Sequence, residues 1–229
     1  MLQVRHSEDR GHTRLSWLDS RFTFSFDQYH DPEHMQFRSL RVSNEDVVAP
    51  SQGFGMHPHR DMEILTWVLD GEIQHRDSTG GQGIIRPGEL QHMSAGTGVM
   101  HSEFNPSAKK PVHLLQMWLV PERRGLKPEY EQLAFPDGDL RGKFLHVAGP
   151  KAPITIRQDA DLYVARLDAG QSVVRRIADG RHAWVQIARG AVRLNGVQLR
   201  QGDGAALTQE AEVRIEAGEP SEILVFDLA

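Results

Sequence analysis

The sequence contains no cysteine among its 229 residues, which excludes disulfide bonds, thiolate metal sites and a cysteine nucleophile. No apolar run approaches the roughly 18 residues of a membrane-spanning helix, and the first residues lack the basic-then-apolar order of a signal peptide. An excess of positive charge is also missing, because 26 Lys and Arg face 31 Asp and Glu for a net charge of −5. Strong binding to a nucleic-acid backbone is therefore not expected. We expect a monomeric, cytoplasmic protein that binds neither membrane nor nucleic acid directly.

Long helical patterns are scarce as well, since few windows keep apolar residues at helical spacing over three turns. What recurs instead are short runs rich in Val, Ile, Leu and aromatic residues, set between turns that draw on 21 Gly and 12 Pro. Such runs are typical of β-strands. They cover residues 64–69, 114–120, 183–187 and 223–226. The predicted class is all-β.

A diverged repeat divides the chain into two similar halves. Residues 64–73 read as strand, glycine turn and strand, followed by a second glycine turn at 86–89, and residues 183–192 and 200–203 repeat this order. The polar, turn-rich segment 121–142 lies between the two copies. The pattern predicts two stacked antiparallel barrels of the jelly-roll type. We place the metal-binding N-terminal domain at residues 1–130 and a C-terminal domain at residues 131–229.

Histidine is abundant, at 12 residues, and the densest group of coordinating side chains lies in segment 53–63. Because a strand turns residues i and i+2 to one face, His57 and His59 can point two imidazoles at one place. His101 and Glu103 repeat the same spacing. Two such pairs on neighbouring strands would converge on one cation.

Three imidazoles and one carboxylate suit Fe(II), Mn, Ni, Co, Cu or Zn better than Ca or Mg. A six-coordinate metal with four protein ligands keeps about two positions open, which is typical of catalytic sites. Isolated histidines such as His75, His92, His113 and His146 are interpreted as structural residues.

Two polar residues near the predicted site allow more than one interpretation. Glu63 could be a fourth ligand, an acceptor for an imidazole N–H, or a paired charge at a strand end, and we favour the acceptor. Gln116 is either a hydrogen-bonded core amide or part of a pocket wall. Phe54 and Met56, beside the first His pair, are the other candidate pocket residues.

Two segments resemble the paired motifs of the cupins: residues 53–71, with an H-x-H pair, and residues 88–105, which end in H-x-x-x-N. Four blocks are more closely similar to the pirin family. These are residues 18–26, 40–46, 57–63 and 93–103, and the resemblance spans about residues 10–121.

In the pirin pattern the carboxylate ligand comes from the H-S-E of the second motif, so the resemblance implies the ligands His57, His59, His101 and Glu103. It also implies a bicupin with iron as the metal. Quercetin 2,3-dioxygenase activity is implied by some members of the family, and a nuclear or transcriptional cofactor role by others. The second half departs from a metal-binding cupin, because register places Arg176, Ala178, Ile215 and Ala217 at the ligand positions.

The sequence therefore leads to a dioxygenase that cleaves a flavonol such as quercetin, or a similar enediol, with O2. In this hypothesis three histidines hold Fe(II), and Glu103 is both ligand and catalytic base. The alternative is an iron-binding interaction protein that modulates a transcriptional regulator or a metabolic enzyme through a protein partner.

Overall fold

A computed structural model describes all residues, 1–229, and almost all of its regular secondary structure is β-strand. Helix is limited to α1, Asp137–Leu140, and a 3-10 turn at Ser7–Asp9, and neither has the length and apolar character needed to cross a membrane. The all-β prediction is confirmed. The strands are β1 Leu2–Arg5, β2 Gly11–Arg14, β3 Leu18–Phe22, β4 Leu40–Val48, β5 Gly53–His59, β6 Glu63–Asp70, β7 Ile73–Asp77, β8 Gln82–Ile85, β9 Glu89–Ser94, β10 Val99–Phe104, β11 Val112–Leu119, β12 Glu129–Ala134, β13 Leu145–Gly149, β14 Ile154–Thr155, β15 Ala160–Leu167, β16 Ser172–Arg176, β17 His182–Arg189, β18 Ala191–Leu194, β19 Val197–Arg200, β20 Gly204–Thr208, β21 Glu212–Ala217 and β22 Ser221–Leu228.

The first unit comprises Gly11–Ala134 together with Ile156–Gln158. It contains a seven-stranded sheet in the order β12-β9-β6-β11-β4-β3-β2 and a four-stranded sheet in the order β5-β10-β7-β8. All of these pairs are antiparallel. Its core includes the inward side chains of Leu18, Val48, Val68, Ile73 and Leu114.

The second unit comprises Met1–Arg10, Phe135–Thr155 and Asp159–Ala229. Its sheets run β1-β20-β17-β22-β15-β13-β14 and β16-β21-β18-β19. The four-stranded sheets of the two units have the same strand order, and β6 and β17 hold equivalent places in the larger sheets. The repeat read from residues 64–73 and 183–192 therefore corresponds to equivalent strands.

The interior of the second unit is filled by apolar side chains. Val173 on β16 and Val213 and Ile215 on β21 belong to one buried cluster, which also contains Ala217. Ile215 and Ala217 are the residues that sequence register places opposite His101 and Glu103. The equivalent strand pair thus supplies hydrocarbon to a core where the first unit carries histidines.

Strand β1 belongs to the second unit, although the sequence division places it with residues 1–130. It pairs with β20 through Leu2↔Leu207 and Val4↔Ala205, and Leu2 and Val4 pack on the core of that unit. In the first unit β12 pairs with β9 at the corresponding edge. A local sequence pattern cannot identify a partner about 200 residues away, which is why the pairing was not predicted. The division at residues 130 and 131 itself stays a prediction.

Replacing Leu2 and Val4 together with serine should lower the free energy of unfolding by about 2 kcal/mol, because two partly buried apolar side chains leave the core. Urea unfolding followed by tryptophan fluorescence measures the loss. Gln3→Ser, on the exposed face of the same strand, is the control and should change stability by less than about 0.5 kcal/mol. Equal losses in the two proteins would contradict the packing of β1.

Candidate metal centre

The paired strands β5 and β10 bring three of the predicted ligands, His57, His59 and His101, together, and Glu103 is grouped with His101 and His75. His57 lies directly opposite His101, and Phe54 lies opposite Glu103, with a register shift between His101 and Glu103. Alternation buries His101 and Glu103 while Met100, Ser102 and Phe104 between and beside them are more exposed. The i and i+2 spacing therefore turns both His101 and Glu103 into the first unit.

Three imidazoles form a nearly equilateral triangle. Ring centroids are 4.8 Å apart for His57 and His59, 4.4 Å for His57 and His101, and 4.8 Å for His59 and His101. One ring nitrogen from each lies within 4.8 Å of the others. His101 is 1% exposed, and its Nε2 is buried without a hydrogen-bond partner. An unpartnered buried nitrogen beside two further imidazoles fits a coordinated cation.

The electrostatics keep the His59 and His101 rings neutral, which is the form that coordinates a metal. Burial and the neighbouring His57 lower the pKa of His59 to about 4. Burial, with the adjacent His57, His59 and His75, lowers the pKa of His101 to about 2. At neutral pH each of these rings therefore has a lone pair.

Hydrogen bonds decide which nitrogen carries that lone pair. His57 Nδ1 lies 2.7 Å from the carbonyl oxygen of Gly55, and since a carbonyl only accepts, Nδ1 donates and a ring with one N–H carries its lone pair on Nε2. His101 Nδ1 lies 3.3 Å from Nδ1 of His75, and His75 Nε2 lies 3.0 Å from Oδ2 of Asp77.

The Asp77 carboxylate fixes the direction of this second chain of hydrogen bonds. Burial raises the pKa of Asp77, but hydrogen bonds from Thr79 and His75 hold it below its ordinary value, so the group accepts. A His75 ring with one N–H donates through Nε2 to this carboxylate and accepts at Nδ1 from His101. Nε2 of His101 is left as the free donor of an electron pair.

Sequence reasoning missed the role of His75, which was interpreted as an isolated structural histidine. Its signal was the H-x-D spacing of His75 and Asp77 on β7, the strand that pairs with β10 on the side away from β5. Both side chains are 1% exposed, and the His75 ring stacks on Tyr130 at 4.9 Å. His75 also forms a compact group with His101 and Glu103.

Glu103 is 3% exposed and is held by an amide. Nε2 of Gln116 donates to both carboxylate oxygens, at 2.9 and 2.7 Å, and Trp118 Nε1 donates to Gln116 Oε1 at 3.2 Å. Burial raises the pKa of Glu103, and the bond from Gln116 partly offsets this. Gln116 is thus both a hydrogen-bonded amide and part of the cavity wall, the two interpretations left open by the sequence.

A cavity of about 440 Å³ opens beside this cluster in the first unit. His57, His59, Glu103, Gln116 and Phe54 line it. Met56, also predicted at the pocket, is 57% exposed and does not line the cavity. It lies between Gly55 and His57 on β5, so alternation turns it to the outer face, and this expectation is corrected.

Glu63 lies elsewhere in the first unit, on β6 of the larger sheet. His92 Nε2 lies 2.8 Å from its Oε2, Ser94 Oγ donates to Oε1 at 2.6 Å, and the Arg157 N–H donates to Oε2 at 3.1 Å. Glu63 does accept an imidazole N–H, as favoured, but from His92 and not from a member of the triangle. It forms a buried ion pair with His92, and its hydrogen bond from the Arg157 backbone N–H ties segment 156–158 to the sheet.

Two jelly-roll units, one with a histidine triangle and a buried carboxylate beside an open cavity, define a metal-dependent bicupin. Sequence comparison agrees: the profile of the Pirin family matches residues 3–119, and that of the quercetinase C-terminal cupin domain matches residues 147–228. The chain belongs to the pirin family.

Relatives match over the whole chain. A protein of Escherichia coli K12 named quercetin 2,3-dioxygenase is 46% identical over 231 residues, which cover 100% of this chain and 99% of the relative. The crystal structure of YhhW from Escherichia coli superposes with a TM-score of 0.96 at 44% identity, over 100% of this chain and 98% of that one. A second structure, of the bacterial pirin YhhW in complex with nickel(II), gives a TM-score of 0.94 at 44% identity, over 100% and 99%.

Glu63→Gln should lower the free energy of unfolding by about 3 kcal/mol, since it breaks a buried pair. Burial opposes the charge on both partners. Even so, hydrogen bonding to His92 lowers the pKa of Glu63 below 4.5. Hydrogen bonding to Glu131 and Glu63 raises the pKa of His92 above 6.5. The Glu63 contribution is lost as pH falls through its lowered pKa, and that of His92 as pH rises through its raised pKa. The penalty should therefore be largest between pH 4.5 and 6.5.

Urea unfolding at a series of pH values measures this penalty. Glu131→Gln is the matched control, because Glu131 lies 3.7 Å from the other nitrogen of His92 but is 43% exposed, so its loss should be much smaller. A penalty for Glu63→Gln that does not vary with pH would contradict the ion pair.

Proposed function

We propose that His57, His59, His101 and Glu103 hold one divalent transition metal, with Fe(II) as the native ion. The observation that carries the proposal is the triangle of imidazoles around the unpartnered Nε2 of His101. Three nitrogens and one oxygen suit the borderline metals. Nickel(II) in the Escherichia coli pirin structure supports a metal of this group.

On this metal the proposed activity is the oxidative cleavage of a flavonol such as quercetin, or of a similar enediol, by O2. Both oxygen atoms enter the product, and one ring carbon leaves as carbon monoxide. When bound, the metal supplies a Lewis acid that lowers the pKa of a coordinated substrate hydroxyl. The cavity supports a flat aromatic substrate, because Trp17, Phe22, Phe26, Phe54 and Trp118 line it.

Glu103 is the proposed acceptor of the hydroxyl proton. Its burial raises its pKa, which makes the carboxylate a stronger base than an exposed one. Gln116 holds both carboxylate oxygens and is itself held by Trp118. The amide therefore restricts the orientation of the base toward the cavity.

Anaerobic loading with Fe(II), followed by measurement of O2 uptake with quercetin, other flavonols and simple enediols, tests the activity. Flavonol-dependent uptake with release of carbon monoxide is the expected result. A fully loaded protein that consumes no O2 with any of these compounds would refute the dioxygenase and leave the interaction protein.

We expect one metal ion per chain, and His101→Ala should abolish tight binding while the fold survives, because the first unit has its own apolar core. Elemental analysis after dialysis measures the metal, and circular dichroism measures the fold. His113→Ala is the control: His113 pairs with Glu45 at 2.9 Å, outside the triangle, so it should keep the metal. Retention of metal by the His101 variant would contradict the ligand set.

Glu103→Gln should reduce flavonol-dependent O2 uptake by about 10²- to 10⁴-fold at full metal loading, the usual cost of losing a general base. The amide keeps the volume and one oxygen but cannot take up the proton. Glu45→Gln provides the matched control, because Glu45 is a carboxylate on β4 that pairs with His113. This variant should keep the parent rate. An undiminished rate in the Glu103 variant would remove this residue from proton transfer.

A further inference from the structure

Strands β3 and β4 place three polar side chains in the wall of the cavity. We name Ser20, Asn44 and Asp46 the polar wall; all three line the cavity and are 2%, 3% and 4% exposed. Ser20 lies opposite Asp46 in the β3–β4 pair. Such burial of polar groups is costly unless each finds a partner.

One member of the polar wall lacks that partner. Oδ1 of Asn44 is buried and accepts no hydrogen bond. In a native protein a buried acceptor without a hydrogen bond calls for an explanation, since the missing bond has a substantial cost in free energy. Because the side chain lines a cavity, a ligand that brings a donor would satisfy it.

Asp46 offers a second acceptor at the same place. Ser20 Oγ donates a hydrogen bond to Oδ1 of its carboxyl group. Burial, opposed by this bond and reinforced by Glu103 and Glu45, raises the pKa of Asp46 to about 7. The carboxyl group is thus poorly stabilised by the protein alone and has the capacity for a further hydrogen bond.

The polar wall lies close to the proposed metal ligands. Asn44 is directly opposite Gln116 across the β4–β11 pair, and Gln116 binds Glu103. Neighbouring strands are separated by about 5 Å. One small aromatic molecule could therefore place an oxygen beside Glu103 and a second polar group beside the polar wall.

The rest of the cavity is aromatic. Trp17 and Phe54 meet edge to face at 5.3 Å, as do Phe26 and Trp118, and Phe22 contacts Phe26 at 5.4 Å. These surfaces accept a planar ring system but supply few hydrogen bonds. The polar wall is thus a local group of acceptors in an apolar pocket, an arrangement that fixes the orientation of a bound ligand.

We propose that Asn44 and Asp46 accept hydrogen bonds from a ring hydroxyl of an aromatic substrate, and so select polyhydroxylated flavonols over 3-hydroxyflavone, which has only the hydroxyl that binds the metal. The inference rests on the proposed function, whose substrate class it narrows. Asn44 and Asp46 are specificity residues, distinct from the base and the metal ligands.

Equilibrium binding to the nickel(II)-loaded protein without O2 tests the proposal, with quenching of tryptophan fluorescence as the readout. The ligands are 3-hydroxyflavone, galangin, kaempferol and quercetin, which add hydroxyls to one ring and then the other. The parent should bind at least one hydroxylated flavonol about 10-fold or more tightly than 3-hydroxyflavone, the value of one or two good hydrogen bonds.

Asn44→Leu and Asp46→Asn should each reduce that preference about 5- to 10-fold while leaving the affinity for 3-hydroxyflavone unchanged. Asn44→Ala, which adds no bulk, replaces the leucine variant if the latter does not fold. Glu45→Gln, between the two residues on β4 but paired with His113, is the control and should keep the parent preference.

The outcomes separate this inference from the function on which it rests. If the parent binds all four flavonols equally, or if the variants lose affinity for all four alike, the polar wall does not select hydroxyls and only the inference is overturned. If the parent binds none of them, both the substrate class and the inference are overturned.

Discussion

The close approach of β5 and β10 is the constraint on which the metal centre depends. At Gly53 a Cβ atom would lie 2.2 Å from the carbonyl oxygen of Glu103 and 2.6 Å from Cα of Phe104, so only glycine lets the strands meet where the register shifts. That meeting sets His57 opposite His101. A wider separation of β5 and β10 would move the His57 and His101 imidazoles too far apart to bind the same metal ion.

Around this strand pair, three of the four proposed ligands are oriented by a neighbour that is not itself at the centre of the triangle. The Gly55 carbonyl orients His57, the pair of His75 and Asp77 orients His101, and Gln116 orients Glu103. Such outer contacts fix tautomer and direction, and they raise the basicity of a ligand as well as its order. Hydrogen bonds within the protein therefore order these three side chains, which would reduce the conformational entropy lost on binding an ion.

The elements that sequence could predict are those that depend on local spacing. The alternation of side chains along β5 and β10 predicts that His57 and His101 point inward. The same alternation turns Met56 outward, although its position next to His57 in the sequence had suggested a pocket residue. Glu63 is in phase with His59 along the chain, yet the turn after β5 moves it into the other sheet, where it meets His92. The H-x-D spacing of His75 and Asp77 is a local signal, but the contact of His75 with His101 arises from the pairing of β7 with β10, which is a tertiary property.

The pairing of β1 with β20 has a consequence for how the chain acquires its structure. Strand β1 is synthesised about 200 residues before its partner β20, whereas the first unit is drawn almost entirely from one continuous stretch. Long-range pairing of this kind slows folding, because the entropy of loop closure is lost before the contact forms. During synthesis the first unit can complete its sheets while β1 is still unpaired. Until β1 docks, β20 has an unpaired edge, and such edges invite association between chains.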